Sequence, residues 1–385
     1  MRQTSGIKSL NALQRLMATP LGDLLARSWL DRYILRSLEH WFFPLSRLWA
    51  AARKAHGDPR LFFDAVPMSA RHTKLAKVER ALADFDQKRI AVQAAESQWL
   101  AGFFGDQAPA EQELVRLENH RLDRRNEYNA TRRHFFFLRK HVNSSVYHAF
   151  STPAQMREIY PDDEQAFSAR FDPPSCMPDI QCSASIPTQT HRAFWLRFDC
   201  PSERLEGQVY AKVLEPLGVE NPPTLIYGHG IGVEFDHWRN LIDVADLLPQ
   251  LGIRVIRPEA PWHGRRVLDG YYGGEYFLSS APMGGADFFT AQHQEWAVLM
   301  DWARRTSSGP VGMGGCSLGA QSAQMTATRA RHWPAHLQPD ALLLLTHCAY
   351  LWEVALDGDL ADIWGLHEPL LKSGWSRPLI EQQLA

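Results

Sequence analysis

The sequence predicts an α/β fold in which a mostly parallel sheet is flanked by helices and preceded by a mainly helical segment. Short apolar runs that begin at residues 223, 253 and 310 alternate with helix-like stretches. Such alternation is typical of parallel strands joined by crossover helices. Residues 1–150 instead carry charged stretches with apolar residues at helical spacing. We therefore predict two domains, a helical N-terminal segment over residues 1–150 and a sheet domain over residues 151–385.

Two charged helices are expected in the N-terminal segment. Residues 69–104 carry Leu75, Val78 and Leu82 at helical spacing among charges of both signs. A second helix is expected over residues 110–141. Together they predict a helical hairpin that forms a solvated layer on the main domain, with a partner-binding role as the alternative.

The beginning of the chain is basic. Residues 1–22 contain no acidic residue, which indicates a helical N-terminus or, in a eukaryotic protein, a transit peptide. The apolar run over residues 40–52 is interrupted by Pro44 and Arg47, so we expect a buried or interfacial segment. No transmembrane segment is expected, because no stretch reaches the roughly 18 to 20 apolar residues that span a bilayer.

Charge and cysteine content narrow the classes of partner. The 41 Lys and Arg residues are balanced by 43 Asp and Glu residues, so no basic excess favours nucleic acid. The five cysteines form no CxxC pair, which argues against a disulfide framework or a zinc ribbon. We expect a cytoplasmic protein with reduced thiols, no metal and no cofactor; self-association is left open.

The sheet is expected to begin with an antiparallel pair. Residues 191–200 and 207–216 are rich in β-formers and are separated by a polar turn. Helices are expected over residues 238–252 and 291–306, between the later strands. A last strand is expected over residues 341–350.

The stretch GMGGCSLGAQSA contains two candidate nucleophiles side by side. A nucleophile elbow requires small residues two positions before and two positions after the nucleophile. Ser317 meets this rule with Gly315 and Gly319, whereas Cys316 would have Leu318 at the second position. We therefore assign Ser317 as the nucleophile and Cys316 as a small buried filler. A merely structural serine at a glycine-rich strand end is the alternative.

The stretch YGHGIG, at the end of an earlier strand, is expected to stabilise an oxyanion. Backbone N–H groups near a nucleophile stabilise the negative oxygen of a tetrahedral intermediate. The candidate donors are the N–H of Gly230 or Ile231 together with that of Leu318. His229 lies in this loop and is assigned a positioning role at the substrate rather than the role of catalytic base. The stretch lacks the Lys and Ser or Thr of a phosphate-binding P-loop.

The stretch RPEAPWHGRR follows the next strand and offers a substrate-binding cluster. Trp262, His263, Arg265 and Arg266 lie close together in it, and two arginines beside a histidine could hold an anionic group. An ion-paired loop that braces the oxyanion segment is the alternative, and the sequence leaves both open.

With YGHGIG, EAPWHGRR and GPVGMGGCSLGA in this order, the sequence resembles the alpha/beta-hydrolase superfamily over about residues 190–365. Within it, the PWHGRR stretch is similar to the group of alpha/beta-hydrolase domain-containing protein 18. The resemblance implies a serine hydrolase that acts on an ester-like or acyl substrate through Ser317.

The sequence after Ser317 does not show the usual strand ends that carry the acid and the histidine of a catalytic triad. In this fold an acid and then a histidine follow the nucleophile, usually at the ends of two further strands. The remaining chain offers Asp357, Asp359 and Asp362 as acids, of which we assign Asp359. It contains histidines 332, 336, 347 and 367, of which we assign His367 as the base, with His263 and His229 as substitutes. His347 is expected to be buried beside the cleft. One explanation is that the hydrolase-like domain is C-terminally incomplete, which would leave a sheet edge exposed.

The favoured function is hydrolysis of a carboxylic ester or related acyl bond in a small-molecule acyl or lipid-like substrate, through a Ser317 acyl-enzyme. An inactive hydrolase-like module that binds a partner or a lipid surface is the first alternative. An acyltransferase that uses the same nucleophile is the second.

Overall fold

The computed structural model describes residues 28–66, 75–161, 163–232 and 245–384. The predictions made for residues 1–22 lie outside these ranges. The predicted helix over residues 238–252 lies partly outside them, and its described part is a short 3₁₀ helix, Ala245–Leu251.

The N-terminal region is helical, as predicted. Its α-helices are α1 (Ser28–Ser37), α2 (Phe43–Ala55), α3 (Pro59–Ala65), α4 (Leu75–Phe104) and α5 (Glu111–Ala130). A π-helical turn, Leu38–Phe42, joins α1 to α2, and the predicted second charged helix continues past α5 as a 3₁₀ helix, Thr131–His141. Aromatic side chains hold the helices together: Trp49 contacts Phe85 and Tyr128, and Phe135 stacks on Phe62.

The sheet has eight strands. They are β1 (Gln181–Cys182), β2 (Ile186–Pro187), β3 (His191–Asp199), β4 (Gln208–Pro216), β5 (Thr224–Gly228), β6 (Arg254–Pro258), β7 (Val311–Cys316) and β8 (Ala341–Leu345). Their order is β1-β3-β4-β6-β5-β7-β8, and β2 also pairs with β3. Two short helices, α6 (Pro153–Ile159) and α7 (Glu164–Ala169), precede the sheet.

The sheet is mixed rather than mostly parallel. The predicted antiparallel pair is β3 and β4, and β4 then pairs antiparallel with β6. Strands β6, β5, β7 and β8 are parallel to one another. The fold class is therefore α/β, with a mixed sheet flanked by helices and a helical N-terminal region.

Helices connect the parallel strands and follow the last of them. Between β6 and β7 lie a 3₁₀ turn (Gly264–Arg266), α8 (Glu275–Ser279) and α9 (Met283–Thr306), and α10 (Leu318–Ala330) and a 3₁₀ turn (Ala335–Leu337) lead to β8. The short helices α11 (Leu351–Asp357), α12 (Asp359–Trp364), α13 (His367–Lys372) and α14 (Arg377–Leu384) follow β8. Helix α9 is longer than predicted, and its fully buried Trp296 belongs to the same core cluster as Phe198, Ile256 and Met313 of the sheet.

Strand β8 is shorter than predicted. It ends at Leu345 because Thr346 has a φ of 48°, a left-handed conformation that interrupts an extended strand. β8 is the last strand in the sheet order, and Leu342 and Leu343 are 47% and 39% exposed. The expectation of an exposed apolar edge therefore agrees with the described strands. No helix within the described ranges combines the length and the apolar character needed to cross a membrane.

A buried ion pair joins the N-terminal helices to the main domain. Arg47 of α2 donates to Glu275 at the start of α8 over 2.5 Å, and the two side chains are 2% and 0% exposed. Arg47 also donates to the carbonyl of Gly270, and Glu275 accepts from the backbone N–H groups of Tyr147 and Tyr272. Each buried charge thus has several partners, which is the condition for burying it at all.

We expect Arg47→Met to destabilise the protein strongly. The substitution keeps an unbranched apolar stem but leaves the Glu275 carboxylate buried without its cation, which costs about 3 to 5 kcal/mol in comparable pairs. Urea denaturation followed by circular dichroism measures the loss. Arg377→Met, which removes an exposed partner of Asp357, is the control and should change stability far less. Equal losses in the two variants would contradict the structural role of the buried pair.

Candidate active site

Ser317 lies at a sharp turn between β7 and α10. Its φ of 54° and ψ of −118° are rare for a residue with a side chain, and the residue is exposed. The turn is held by hydrogen bonds from the Ser317 N–H to the Leu345 carbonyl and from the Gln321 N–H to the Ser317 carbonyl, both 2.9 Å long. This strained strand-to-helix turn is the geometry that a nucleophile elbow requires.

Three glycines make the turn sterically feasible. A Cβ on Gly319 would lie 2.2 Å from the carbonyl carbon of Gly228, and a Cβ on Gly315 would lie 2.4 Å from the carbonyl carbon of Gly319. These distances are far below contact distance, so the ends of β5, β7 and α10 approach one another only because side chains are absent. The spacing of Gly315 and Gly319 around Ser317 is therefore a steric requirement of this fold.

Cys316 points to the other side of β7. Its side chain packs against the cluster that contains Ala193, Leu214 and Tyr227, and its Sγ lies 3.1 Å from Oγ1 of Thr346. The five cysteines are free thiols. Cys316 thus has a packing position, whereas Ser317 faces a cavity.

The cavity next to Ser317 has a volume of about 320 Å³ and a largely apolar wall. Residues 227–232, the stretch YGHGIG, are called the oxyanion loop below, after their predicted role. The cavity lining combines this loop, α8, α9, the loop after β8 and the C-terminal helices. The lining residues are Ile231, Phe277, Leu278, Ala281, Pro282, Gly285, Ser317, Leu318, Gln321, Thr346, His347, Cys348, Leu351, Val354, Ala355, Leu360, Trp364 and Leu366. A cavity of this size and character suits an apolar part of a small molecule.

Two of the predicted oxyanion donors adjoin this cavity. Ile231 and Leu318 line it, and Leu318 is the first residue of the 13-residue helix α10. The first N–H groups of a helix have no partner within the helix, so they are available to a negative oxygen. Gly230 lies next to Ile231, and its carbonyl is bound by the His229 ring. The donor assignments remain predictions.

His263 is hydrogen-bonded to the backbone of the oxyanion loop. Its Nδ1 donates to the Pro261 carbonyl over 2.8 Å, and its Nε2 accepts from the Gly232 N–H over 3.3 Å. Complete burial, and secondarily the neighbouring His229, lower the pKa of His263 to about 3. His263 is therefore neutral at physiological pH, and both of its ring nitrogens are engaged with the backbone.

His229 has the same arrangement. Its Nδ1 donates to the carbonyl of Gly230 over 2.8 Å, and its Nε2 accepts from the Ala260 N–H over 3.3 Å. The two imidazole rings lie edge to face, with centroids 4.8 Å apart. This pair ties the oxyanion loop to the loop after β6, and neither ring presents a nitrogen for proton transfer to Ser317.

The two arginines of the RPEAPWHGRR stretch are paired with carboxylates of the protein. Arg266 donates to Glu295, whose side chain is 0% exposed, over 2.7 Å. Arg265 donates to Glu259 and, over 2.5 Å, to Glu96 of α4. Burial alone would raise the pKa of Glu96, but the surrounding arginines, Arg265 foremost, lower it to about 2. These contacts agree with the alternative in which the arginines form an ion-paired loop that braces the oxyanion segment. The described lining of the Ser317 cavity contains neither arginine.

Trp262 is likewise a structural residue in this geometry. It has a φ of 59°, is 7% exposed, and packs its ring against Tyr276 and Phe288. Its backbone carbonyl accepts a hydrogen bond from Gly274, whose missing side chain leaves room for His263 and Ile231. The prediction that Trp262 and His263 contact substrate directly has no support in the described cavity lining.

The predicted base and acid lie away from the described cavity lining. His367, at the start of α13, has a half-exposed side chain whose Nε2 lies 2.5 Å from the Leu356 carbonyl. Asp359 is exposed at the start of α12. We therefore do not retain His367 as the base or Asp359 as the acid, because the structure places neither with Ser317.

His347 corrects a further expectation. It is exposed rather than buried, and it lines the same cavity as Ser317. The left-handed Thr346 turns the chain out of β8 immediately before it. Its position could not be read from the pattern, because an apolar strand predicts continued burial up to residue 350. Within the described ranges, no group of three or more His, Cys, Asp or Glu side chains is arranged to hold a metal ion.

We expect Gly319→Ala to damage the elbow. The added methyl group would meet the backbone of Gly228, which cannot move without shifting β5, so we expect a loss of about 1 to 3 kcal/mol. Thermal and urea unfolding measure this. Gly285→Ala in α9 is the matched control, since its Cβ would meet only Phe277 at 3.9 Å and alanine favours a helix. A Gly319→Ala protein as stable as the wild type would contradict the steric account.

We expect acid to destabilise the protein in part through His263. Its pKa is about 3 in the folded state and about 6.5 when unfolded, so the unfolded chain binds a proton more readily as pH falls below 6.5. Stability from this group is complete above pH 6.5 and falls toward pH 3, by at most about 1.4 kcal/mol per pH unit. Urea midpoints between pH 7 and pH 5 should fall less steeply in His263→Asn than in the wild type. The exposed His336→Asn is the control, and an unchanged slope in His263→Asn would disprove this assignment.

No protein-family model and no curated protein matches the sequence. Among solved structures, the chain is similar to a cold-adapted esterase from an Arctic intertidal metagenomic library, with 19% identity and a TM-score of 0.32 over 42% of this chain. Acetyl xylan esterase 1 from a Thermoanaerobacterium species aligns with 57% of this chain at 17% identity and a TM-score of 0.38. An S-formylglutathione hydrolase from Agrobacterium tumefaciens aligns with 52% at 14% identity and a TM-score of 0.35. The chain spans 62%, 74% and 75% of the lengths of these three proteins.

Proposed function

We propose that the chain is a serine hydrolase of the alpha/beta-hydrolase superfamily that cleaves a carboxylic ester or related acyl bond through a Ser317 acyl-enzyme. The observation that carries the proposal is the exposed Ser317 on a strained, glycine-dependent turn beside an apolar cavity. Strain of this kind persists only where the surrounding structure enforces it, and it is common at active sites.

The cavity supports an apolar acyl group as the part of the substrate next to Ser317. Its wall is formed mainly by aliphatic and aromatic side chains, and the charged Arg265 and Arg266 are paired elsewhere. Burying an apolar chain there would be favourable, whereas an isolated charge would be costly. A small-molecule acyl or lipid-like ester fits this chemistry.

His347 is our proposed base. The Ser317 N–H is hydrogen-bonded to the Leu345 carbonyl, and His347 lies two residues after Leu345. Both residues line the cavity, and His347 is exposed. A serine hydroxyl is a weak nucleophile near neutral pH unless an adjacent base takes its proton.

The proposed reaction has two steps. The Ser317 Oγ attacks the carbonyl carbon while His347 takes its proton, and the N–H groups of Leu318 and of Ile231 or Gly230 stabilise the negative oxygen. His347 then returns the proton to the departing alcohol. Water, activated by His347, releases the acid and restores Ser317.

One observation favours a non-catalytic module as the second candidate. The described lining of the cavity that contains Ser317 and His347 includes no Asp or Glu side chain, so no carboxylate is placed there as the third member of a triad. A histidine without an orienting carboxylate is a weaker base. A protein whose His347 has no orienting carboxylate is expected to turn over an ester slowly or not at all.

We expect a fluorophosphonate probe to label the protein at Ser317. The probe forms a covalent bond with an activated serine, so labelling should be lost in Ser317→Ala and retained in Ser322→Ala, whose hydroxyl is buried in α10. Mass spectrometry of the labelled peptide locates the site. Absence of Ser317-dependent labelling would overturn the covalent mechanism and favour the non-catalytic module.

We expect His347→Gln to lower the rate of labelling at least tenfold near pH 7 without preventing folding. General-base assistance typically accelerates such steps by about 100-fold to 10,000-fold. His332→Gln, which changes an exposed histidine just after α10, is the control and should be labelled at the rate of the wild type. An unchanged rate in His347→Gln would remove His347 from the mechanism while leaving Ser317 in place.

A further inference from the structure

The first described helix presents an exposed aromatic face. Trp29, Tyr33 and Ile34 of α1 are 51%, 66% and 47% exposed. Trp41, in the π-helical turn that follows α1, is 51% exposed and contacts Phe136, which is 37% exposed, with ring centroids 5.0 Å apart. We call these five residues the aromatic face. Large apolar side chains that are grouped on a surface usually mark a site of interaction.

Three residues of the aromatic face, Trp29, Tyr33 and Ile34, belong to the amphipathic helix α1. At about 100° per residue, Trp29, Tyr33 and Ile34 fall within one arc of α1. The π-helical turn that follows α1 is anchored, because its Leu38 and Phe42 pack against the cluster that contains Trp364. The end of α1 is therefore held against the main domain, while Trp29, Tyr33 and Ile34 remain exposed.

Basic side chains border the aromatic face. Arg32, Arg36 and Lys140 are exposed, and Arg139 is half-buried. Glu39 is also exposed in this region, close to His40. The Arg139 guanidinium lies over the ring of Phe136 at 3.6 Å and over the ring of Trp41 at 4.9 Å. The border is thus basic in balance, and one of its cations is held directly on the aromatic rings.

We propose that the aromatic face docks on the surface of a lipid bilayer that contains anionic phospholipids. Trp and Tyr side chains favour the level of the lipid headgroups, where one part of the ring is apolar and another part is hydrated. Arginine and lysine at the border of such a helix bind anionic headgroups while their stems remain among apolar groups.

Docking in this orientation brings the candidate active site near the lipid. A cavity of about 710 Å³ adjoins the aromatic face and is lined by Trp41, Arg139, Lys140 and Trp364, among others. Trp364 also lines the cavity of Ser317. The docking surface and the candidate site therefore share one wall. The docking itself does not depend on Ser317 being a nucleophile.

The test is sedimentation of the full chain with vesicles of two compositions. Large vesicles of phosphatidylcholine alone are compared with vesicles that contain 30% phosphatidylglycerol, at low salt. The protein should sediment with the anionic vesicles, and binding should weaken at least tenfold when the salt concentration is raised or when phosphatidylglycerol is omitted. A blue shift of tryptophan fluorescence should accompany binding.

Trp29→Ala/Tyr33→Ala should lower the partition coefficient at least tenfold, because both rings are exposed and their removal leaves the core intact. Leu251→Ala, which removes an exposed apolar side chain before β6, is the matched control and should bind like the wild type. Circular dichroism checks that the variants fold.

Three outcomes would overturn the proposal. These are no sedimentation with anionic vesicles, equal binding of the double variant and the wild type, or dimerisation through the aromatic face. The last would appear in analytical ultracentrifugation as a dimer that the double variant loses, and it would identify a second copy of the chain as the occupant. Vesicle binding by Ser317→Ala, with labelling lost, would separate this proposal from the proposed function.

Discussion

The buried pair of Arg47 and Glu275 is the interaction on which the geometry of the candidate site depends. Glu275 fixes the start of α8, and its neighbour Gly274 packs directly against His263. His263 in turn accepts a hydrogen bond from Gly232 at the end of the oxyanion loop. A charge on an N-terminal helix therefore positions the loop beside Ser317. Because a buried charge is costly unless it is paired, the helical segment and the main domain constrain each other.

A second constraint acts at Ser317. The close approach of β5, β7 and α10 permits no side chain at Gly228, Gly315 or Gly319. Gly315 and Gly319 are close to Ser317 in sequence, so the pentapeptide could predict a tight turn there, whereas the approach of Gly319 to Gly228 joins distant parts of the chain. Short-range sequence patterns also predicted the antiparallel pair β3 and β4, the helices α4 and α5, and the existence of β8.

The features that the sequence did not predict depend on distant contacts. Arg265 is paired with Glu96, a residue 169 positions earlier in the chain, and Arg266 with Glu295 on α9. A local stretch with two arginines and a histidine is equally compatible with an anion site and with such bracing. The mixed character of the sheet comes from the antiparallel pairing of β4 with β6, which no periodicity encodes. The early end of β8 reflects the single backbone conformation of Thr346, and it moves His347 from the expected interior to the surface.

The charged side chains around the oxyanion loop are paired with one another, and this pairing affects which substrates the cavity can bind. His229 and His263 use both ring nitrogens on backbone groups, and the nearby arginines are neutralised by Glu96, Glu259 and Glu295. The loop is therefore positioned by histidines and ion pairs whose polar groups are already engaged within the protein. The cavity beside Ser317 is lined by the polar side chains of Gln321, Thr346 and His347. Backbone N–H dipoles aimed at a substrate there would act most strongly where water is excluded. A neutral acyl group, which becomes negative only in the tetrahedral intermediate, would benefit from this arrangement more than a substrate that carries its own anion.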